Sequence, residues 1–364
     1  MISTDVLRNE ERVAFALRGL YRSYGYLQYR MSKFEEYDLY VRNKSYLPAE
    51  HIITFPGSDG KLMALKPDVT LSIVRTTKDL PVGVQKVYYH ENVYRSSGEN
   101  RSIREMMQVG LECIGNVDAY CVREVLHLAE QSLATVSPDS VLDVSHLGIL
   151  SEVLLRAGIT PENRGELLGY IAEKNPHDLT AFCGKLGLPE ENTEWLRQMI
   201  LCEGEPKEVL PRLQGLFPDP EWNALVEEFG KVLSGLPQKR LRVDFSVIND
   251  MSYYNGILFQ GFVAGVPNSV LSGGQYDLLM QRMGKHSRAI GFAVYLDQLE
   301  QIGQPEAGYD FDVLILYGEN TDPAEVEKTV RKYTAKGLRV LASVSLPEQK
   351  TWEKLIRLEG EQTK

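Results

Sequence analysis

Apolar residues recur every three or four positions from Glu10 to Tyr24, at Val13, Ala16, Leu17, Leu20, Tyr21 and Tyr24. That spacing predicts an amphipathic helix, with Gly25 placed to close it. Two short strand-like runs follow, His51 to Phe55 and Lys61 to Lys66, around Pro56-Gly57-Ser58-Asp59-Gly60. Asp-Gly supplies the positive backbone angles of a tight turn, so these runs predict a β-hairpin. Gln85 to Tyr94 and Ile103 to Ile114 are strand candidates joined through the turn-rich Ser96-Ser97-Gly98-Glu99-Asn100, which predicts an antiparallel pair. Val117 to Val136 reads as a helix and Val141 to Leu147 as a strand.

The pattern then turns helical from about Gly148 to Leu236, with breaks at Gly158-Ile159-Thr160-Pro161 and Phe217-Pro218-Asp219-Pro220. Strand character returns in Leu241 to Ile248 and Gly256 to Ala264, followed by the glycine-marked Ser272-Gly273-Gly274 and a predicted helix over Ala289 to Ile302. After Gly308 the order is strand (Asp312 to Tyr317), helix (Pro323 to Ala335), strand (Arg339 to Val344) and helix (Glu348 to Leu358). The expected organisation is a core in two parts, residues 1–147 and 237–307, a helical insertion over 148–236, and a short α/β appendage over 308–364. No internal repeat or low-complexity stretch suggests a solenoid or a disordered tail.

Composition narrows the function classes. The chain has 364 residues, 43% hydrophobic and 25% charged, enough to bury a sizeable core. No window approaches the apolar run that spans a bilayer, and the acid-bearing stretch Met1 to Arg12 lacks the apolar centre of a signal peptide. A soluble cytoplasmic protein is expected. Cys113, Cys121, Cys183 and Cys202 match no zinc spacing and read as structural thiols. A formal net charge of −10 argues against a nucleic-acid partner, since that affinity rests on Lys and Arg neutralising phosphates.

Common catalytic signatures are missing: there is no P-loop, dinucleotide fingerprint, HExxH or GxSxG. His51, His90, His127, His146, His177 and His286 are scattered without metal-ligand partners, so no metal and no cofactor are expected. Nor is there the pair of acids followed by a small hydroxyl-rich loop with which phosphoribosyltransferases grip their substrate.

Four separated segments do carry chemistry. In Leu65-Lys66-Pro67-Asp68-Val69-Thr70-Leu71, Asp68 and Thr70 offer the carboxylate and neutral acceptor that a desolvated ammonium needs; the plain alternative is a helix start with Asp68 near its first turn. In Gln108-Val109-Gly110-Leu111-Glu112, strand periodicity puts Gln108, Gly110 and Glu112 on one face, so an amide and a carboxylate meet one ligand across a glycine. Glu112 suits an imidazole N–H, and a polar strand face meeting water is the alternative. Tyr253 and Tyr254, in Ser252-Tyr253-Tyr254-Asn255-Gly256, offer ring faces and hydroxyls to an aromatic cation, or ordinary core packing. Tyr276 follows a double glycine in Gly273-Gly274-Gln275-Tyr276-Asp277, where the backbone can approach a ligand closely.

In this order the segments resemble the class II catalytic domain of histidyl-tRNA synthetase. They are similar to its LRPEGT segment, to motif 2 (from Val93-Tyr94-Arg95) with its QxGxE tail, to LDYYNRTVFE and to GGRYD, while Ala289 to Leu299 resembles motif 3. The resemblance covers the chain to about Ile302 and implies an α+β fold: a class II synthetase-like antiparallel sheet flanked by helices. It also implies a histidine pocket formed by Asp68, Thr70, Arg95, Gln108, Glu112, Tyr253, Tyr254 and Tyr276. The departures fall on the cations that adenylate formation requires. Gln298 and Asn249 stand where the family has arginines of motif 3 and of the segment before the tyrosine pair, Gln275 replaces the arginine of GGRYD, and Ser97 aligns with the motif 2 glutamate; Arg95 and Arg104 survive. Losing one charge-stabilising donor costs about 3 kcal/mol of barrier, so two lost arginines remove roughly 10⁴-fold of activity.

Ser32 stands at the motif 1 proline, and the appendage, with two predicted strands, is shorter than a complete anticodon-binding domain. Retained recognition without catalysis resembles the histidyl-tRNA synthetase-like regulatory subunits of short-form ATP phosphoribosyltransferase. That resemblance implies L-histidine as ligand, a separate catalytic subunit as partner, a homodimer within a hetero-oligomer, and feedback control of the first step of histidine synthesis. The alternative is an active or degenerate histidyl-tRNA synthetase.

Overall fold

Helix α1 (Asn9–Ser23) buries Val13, Ala14, Leu17 and Tyr21 along one stripe, as its spacing predicts. Gly25, at φ 83°, closes it: its N–H donates to the Arg22 carbonyl, and that of Tyr26 reaches back to Tyr21. The computed structural model describes residues 7–41, 51–80, 82–96, 102–248, 253–301 and 309–358. Asn249, Ser252 and the turn residues Ser97 to Asn100 lie outside the described residues.

Next come β1 (Leu27–Gln28), β2 (Phe34–Glu36) and the short helix α2 (Asp38–Val41). The predicted hairpin is β3 (Thr54–Pro56) and β4 (Leu62–Leu65), closed by Gly60 at φ 81°, and β2 adds to it in the order β2-β4-β3. Helix α3 (Thr70–Thr76) leads to the long antiparallel pair β5 (Val84–Ser96) and β6 (Ile103–Gly115), then α4 (Ala119–Val136) and β7 (Ser140–His146).

Six helices follow: α5 (Leu147–Arg156), α6 (Pro161–Ala172), α7 (Pro176–Lys185), α8 (Glu190–Leu201), α9 (Pro206–Gln214) and α10 (Pro220–Leu233), with the two-residue β8 (Glu203–Gly204) before α9. Prolines stand at the first turns of α6, α7, α9 and α10, where no backbone N–H is needed. The sheet resumes with β9 (Leu241–Asp244), β10 (Ile257–Val263) and β11 (Leu271–Gln275), and after α11 (Asp277–Arg282) comes β12 (Arg288–Tyr295). None of the helices among the described residues is long and apolar enough to cross a membrane.

These strands form one sheet in the order β1-β5-β6-β12-β11-β10-β7-β9-β8. Its centre is antiparallel, as expected, but β1 runs parallel to β5 and β9 parallel to β7, so the sheet is mixed. One core packs α1, α4 and the later helices against the sheet; a second gathers Val69, Leu71, Tyr89, Tyr253, Tyr276 and Met280.

The helix predicted over Ala289 to Ile302 is wrong. Residues 288–295 are strand β12, and only Leu296–Gln301 turn, as a 3-10 helix. The strand lies between β6 and β11, and Ala289, Ile290, Phe292 and Val294 are all buried. With both faces covered, the polar alternation that marks a strand is lost, and a short apolar run fits either period.

Met1–Ile302 and Gly303–Lys364 are separate compact units. Within the second, β13 (Phe311–Tyr317), α12 (Pro323–Thr334) and β14 (Val340–Ser343) fall where expected. The helix predicted over Glu348 to Leu358 is instead strand β15 (Trp352–Leu358), and the sheet has three parallel strands, β14-β13-β15. Glu, Lys, Leu and Arg are good helix formers, but pairing with the apolar β13 overrides that weak preference.

Candidate functional site

The segment Lys66 to Thr70 is fixed from both sides. The Lys66 N–H donates to the Lys33 carbonyl at 2.9 Å, the Lys66 carbonyl accepts from Tyr94 N–H at 2.9 Å, and the fully buried ammonium of Lys66 meets Glu91 at 2.7 Å. Arg95 Nε donates to the Pro67 carbonyl at 2.9 Å. Asp68 Oδ1 accepts the Leu71 N–H at 2.8 Å, so the residue does sit at a helix start, while its Oδ2 lies 3.8 Å from Arg95. One Asp68 oxygen thus serves the start of α3, and the residue also lines a cavity.

The other wall comes from strand register. β12 pairs with β6 so that Tyr295 lies opposite Gln108, Ala293 opposite Gly110 and Gly291 opposite Glu112. All but Gly110 line the same cavity. The glycines make the room: a Cβ on Gly110 would lie 2.3 Å from the Phe292 carbonyl oxygen and 2.4 Å from the Tyr89 hydroxyl, and one on Gly273 would lie 2.4 Å from the Gly291 oxygen. No side chain fits at those distances.

Every residue nominated for the pocket lines this one cavity. Asp68, Thr70, Arg95, Gln108, Glu112, Tyr253, Tyr254 and Tyr276 converge from α3, β5, β6 and the segments flanking β10 and β11. Tyr253 packs edge-on to Tyr254 with ring centres 4.3 Å apart and stacks on Tyr276 at 5.6 Å. Tyr276 Oη donates to Glu112 Oε2 at 2.6 Å, and Thr70 Oγ1 donates to Oε1 at 2.8 Å.

Burial pushes the Glu112 carboxyl up to about 8; those two donors pull it back in part, and the charge of Asp68 raises it further. Burial also raises the hydroxyls of Tyr89, Tyr254 and Tyr276 well above the usual tyrosine range, so they stay protonated donors. Among the described lining residues Arg95 is the one cation. The cavity thus combines tyrosine walls and carboxyl groups with one guanidinium among its described lining residues.

Sequence reasoning missed Tyr89, Ser272 and Tyr295, which also line the cavity. Tyr89 was findable, since it lies opposite Gly110 once β5 and β6 are paired. Gln275 is a correction. Side chains alternate along a strand, so Gln275 faces away from Tyr276, accepts the Ile257 N–H at 2.9 Å and lines a different cavity with His146 and Arg288.

Gln298 bonds Asp297 at 3.1 Å and is not among the cavity's lining residues; Arg104 is exposed opposite Arg95. Ser32 Oγ accepts the Phe34 N–H at 3.1 Å. Asn249 and Ser97 lie outside the described residues. Among those described, no His, Cys, Asp and Glu cluster is arranged to hold a metal, and all four cysteines are buried free thiols.

The family profile described as histidyl-tRNA synthetase matches residues 3–299. Over 291 residues the chain is 27% identical to the ATP phosphoribosyltransferase regulatory subunit of Oceanobacillus iheyensis, covering 78% of this chain and 71% of that one. Over 301 residues it is 25% identical to the histidine–tRNA ligase of Methanocaldococcus jannaschii, covering 81% and 72%. The crystal structure of an ATP phosphoribosyltransferase regulatory subunit/histidyl-tRNA synthetase from Bacillus halodurans has the same fold, with a TM-score of 0.78 at 21% identity over 97% of this chain and 94% of that one.

Proposed function

Because the chain belongs to the histidyl-tRNA synthetase family, we propose that it is a non-catalytic regulatory subunit of ATP phosphoribosyltransferase that senses L-histidine in the tyrosine-walled cavity. The observation that carries this reading is the pair of donors, Thr70 and Tyr276, that orient the buried Glu112 carboxyl within a cavity whose described lining holds one guanidinium. Glu112 accepts an imidazole N–H, Tyr253, Tyr254 and Tyr276 enclose the ring, Asp68, Thr70 and Gln108 hold the ammonium, and Arg95 meets the carboxylate.

Adenylate formation brings two anions together and builds charge on a phosphate, which needs several fixed cations. Arg95, the one cation among the described lining residues, does not supply them. Recognition therefore outlives chemistry in this site, as a sensor requires. The relative from Oceanobacillus iheyensis carries the regulatory name and supports the role. The partner is the short catalytic subunit, joined to a homodimer of this chain in a cytoplasmic hetero-oligomer. Nucleic acid is not a ligand, in keeping with the net charge of −10.

Feedback follows if histidine binds one state of the assembly more tightly than the other. Copurification with a short catalytic subunit, then an ATP phosphoribosyltransferase assay with and without histidine, tests this. The reading expects activity that depends on this chain and falls with histidine. Full activity of the catalytic subunit alone, unaffected by this chain, contradicts it.

A further inference from the structure

Glu35 lies outside the cavity, yet it holds the part of the cavity that would grip an amino group. It sits at the centre of β2 with its side chain 2% exposed, opposite Ala64 on β4, the strand that runs directly into Lys66 to Thr70. Both carboxylate oxygens are used. Oε2 accepts from Ser72 Oγ at 2.7 Å and from the Tyr40 hydroxyl, and Oε1 accepts from Arg75 at 2.9 Å. Ser72 and Arg75 belong to α3, the helix that Thr70 opens and Asp68 caps. One buried carboxylate therefore fixes the position of α3, and with it the Asp68 and Thr70 side chains, from the side remote from the ligand.

We infer that Glu35 is a positioning residue for recognition of the ligand's ammonium group, acting through Ser72 and Arg75 on Asp68 and Thr70. This rests on the histidine reading of the cavity. The imidazole end is placed by Glu112 on β6 and by Tyr276, and the two ends meet only at Thr70, which donates to Glu112 at 2.8 Å, so a shift of α3 acts first on the ammonium end and more weakly on the imidazole end.

Glu35→Gln is a discriminating change. An amide has one acceptor oxygen where the carboxylate has two, so it cannot accept from Arg75 at one end and from Ser72 and Tyr40 at the other. Calorimetry on the full chain with three ligands reads the outcome: histidine, histamine (amino group without carboxylate) and imidazolepropionate (carboxylate without amino group). Glu35→Gln should weaken histidine and histamine by roughly tenfold, the scale of one misplaced charge-assisted hydrogen bond, and imidazolepropionate, which feels α3 only through the Thr70–Glu112 bond, by no more than about threefold. Ser72→Ala, which removes one link and keeps the buried charge, should give a smaller loss with the same ligand pattern and remains informative if Glu35→Gln does not fold. Equal weakening of all three ligands, or none, overturns the inference while leaving the pocket intact. Failure of the unmodified chain to bind histidine overturns the pocket itself.

Discussion

Glu112 and Gly291 face each other across β6 and β12, and a Cβ on Gly291 would lie 1.7 Å from Glu112 Oε2. The carboxylate occupies the space that the missing side chain leaves. Gly291→Ala should therefore displace Glu112 and weaken histidine binding by at least about tenfold, since a misplaced charge-assisted bond costs on the order of 1.5–3 kcal/mol. Calorimetry checks this, and unchanged affinity would mean that Glu112 does not meet the ligand.

Tyr276 acts on the same carboxylate from the other side, donating to Oε2 at 2.6 Å. Tyr276→Phe keeps the ring that stacks on Tyr253 and removes only the donor. We expect histidine affinity to fall by roughly tenfold while thermal stability changes little, because the relaxed carboxyl can protonate. A loss of stability with unchanged affinity would assign Tyr276 to packing alone.

Glu112 also gives the free protein a pH signature. Its folded carboxyl is raised to about 8 from the usual 4.5, so the folded state binds a proton more readily than the unfolded chain. The stabilising contribution is complete below about 4.5 and is lost as pH rises to about 8. Urea unfolding of the ligand-free chain from about pH 5 to about pH 8 should show stability falling with pH, and Glu112→Gln should flatten the slope. An identical slope in the variant would show that this carboxyl titrates normally.

Lost chemistry is tested by ATP–pyrophosphate exchange with histidine. With Arg95 as the one cation among the described lining residues, exchange should lie roughly 10⁴-fold below that of a working synthetase. Robust exchange at low protein concentration would return the chain to the synthetases.

Most of the site was legible because strand pairing repeats every second residue. Gln108, Gly110 and Glu112 fall on one face from sequence alone, and Gln108 and Glu112 both line the cavity. Part of what was lost traces to one mistaken element. Reading Ala289 to Ile302 as a helix imposed the wrong period on Gly291, Ala293 and Tyr295, the three positions that complete the wall opposite Gln108, Gly110 and Glu112. Buried on both faces, β12 carries no polar alternation from which its period might be read. Gln275 failed for a related reason: motif likeness gives a residue's neighbours along the chain, whereas the face it occupies depends on register. Glu35 was invisible for a third reason, because its contacts with Ser72 and Arg75 bridge 37 and 40 residues.

The most direct test is calorimetric titration of the purified chain with histidine against a panel of other amino acids. A buried acceptor aimed at an imidazole, together with a carboxylate for the ammonium, predicts saturable binding of histidine with clear preference over the rest, diminished in Glu112→Ala. Absence of histidine binding, or equal affinity for an amino acid without an imidazole, would contradict it.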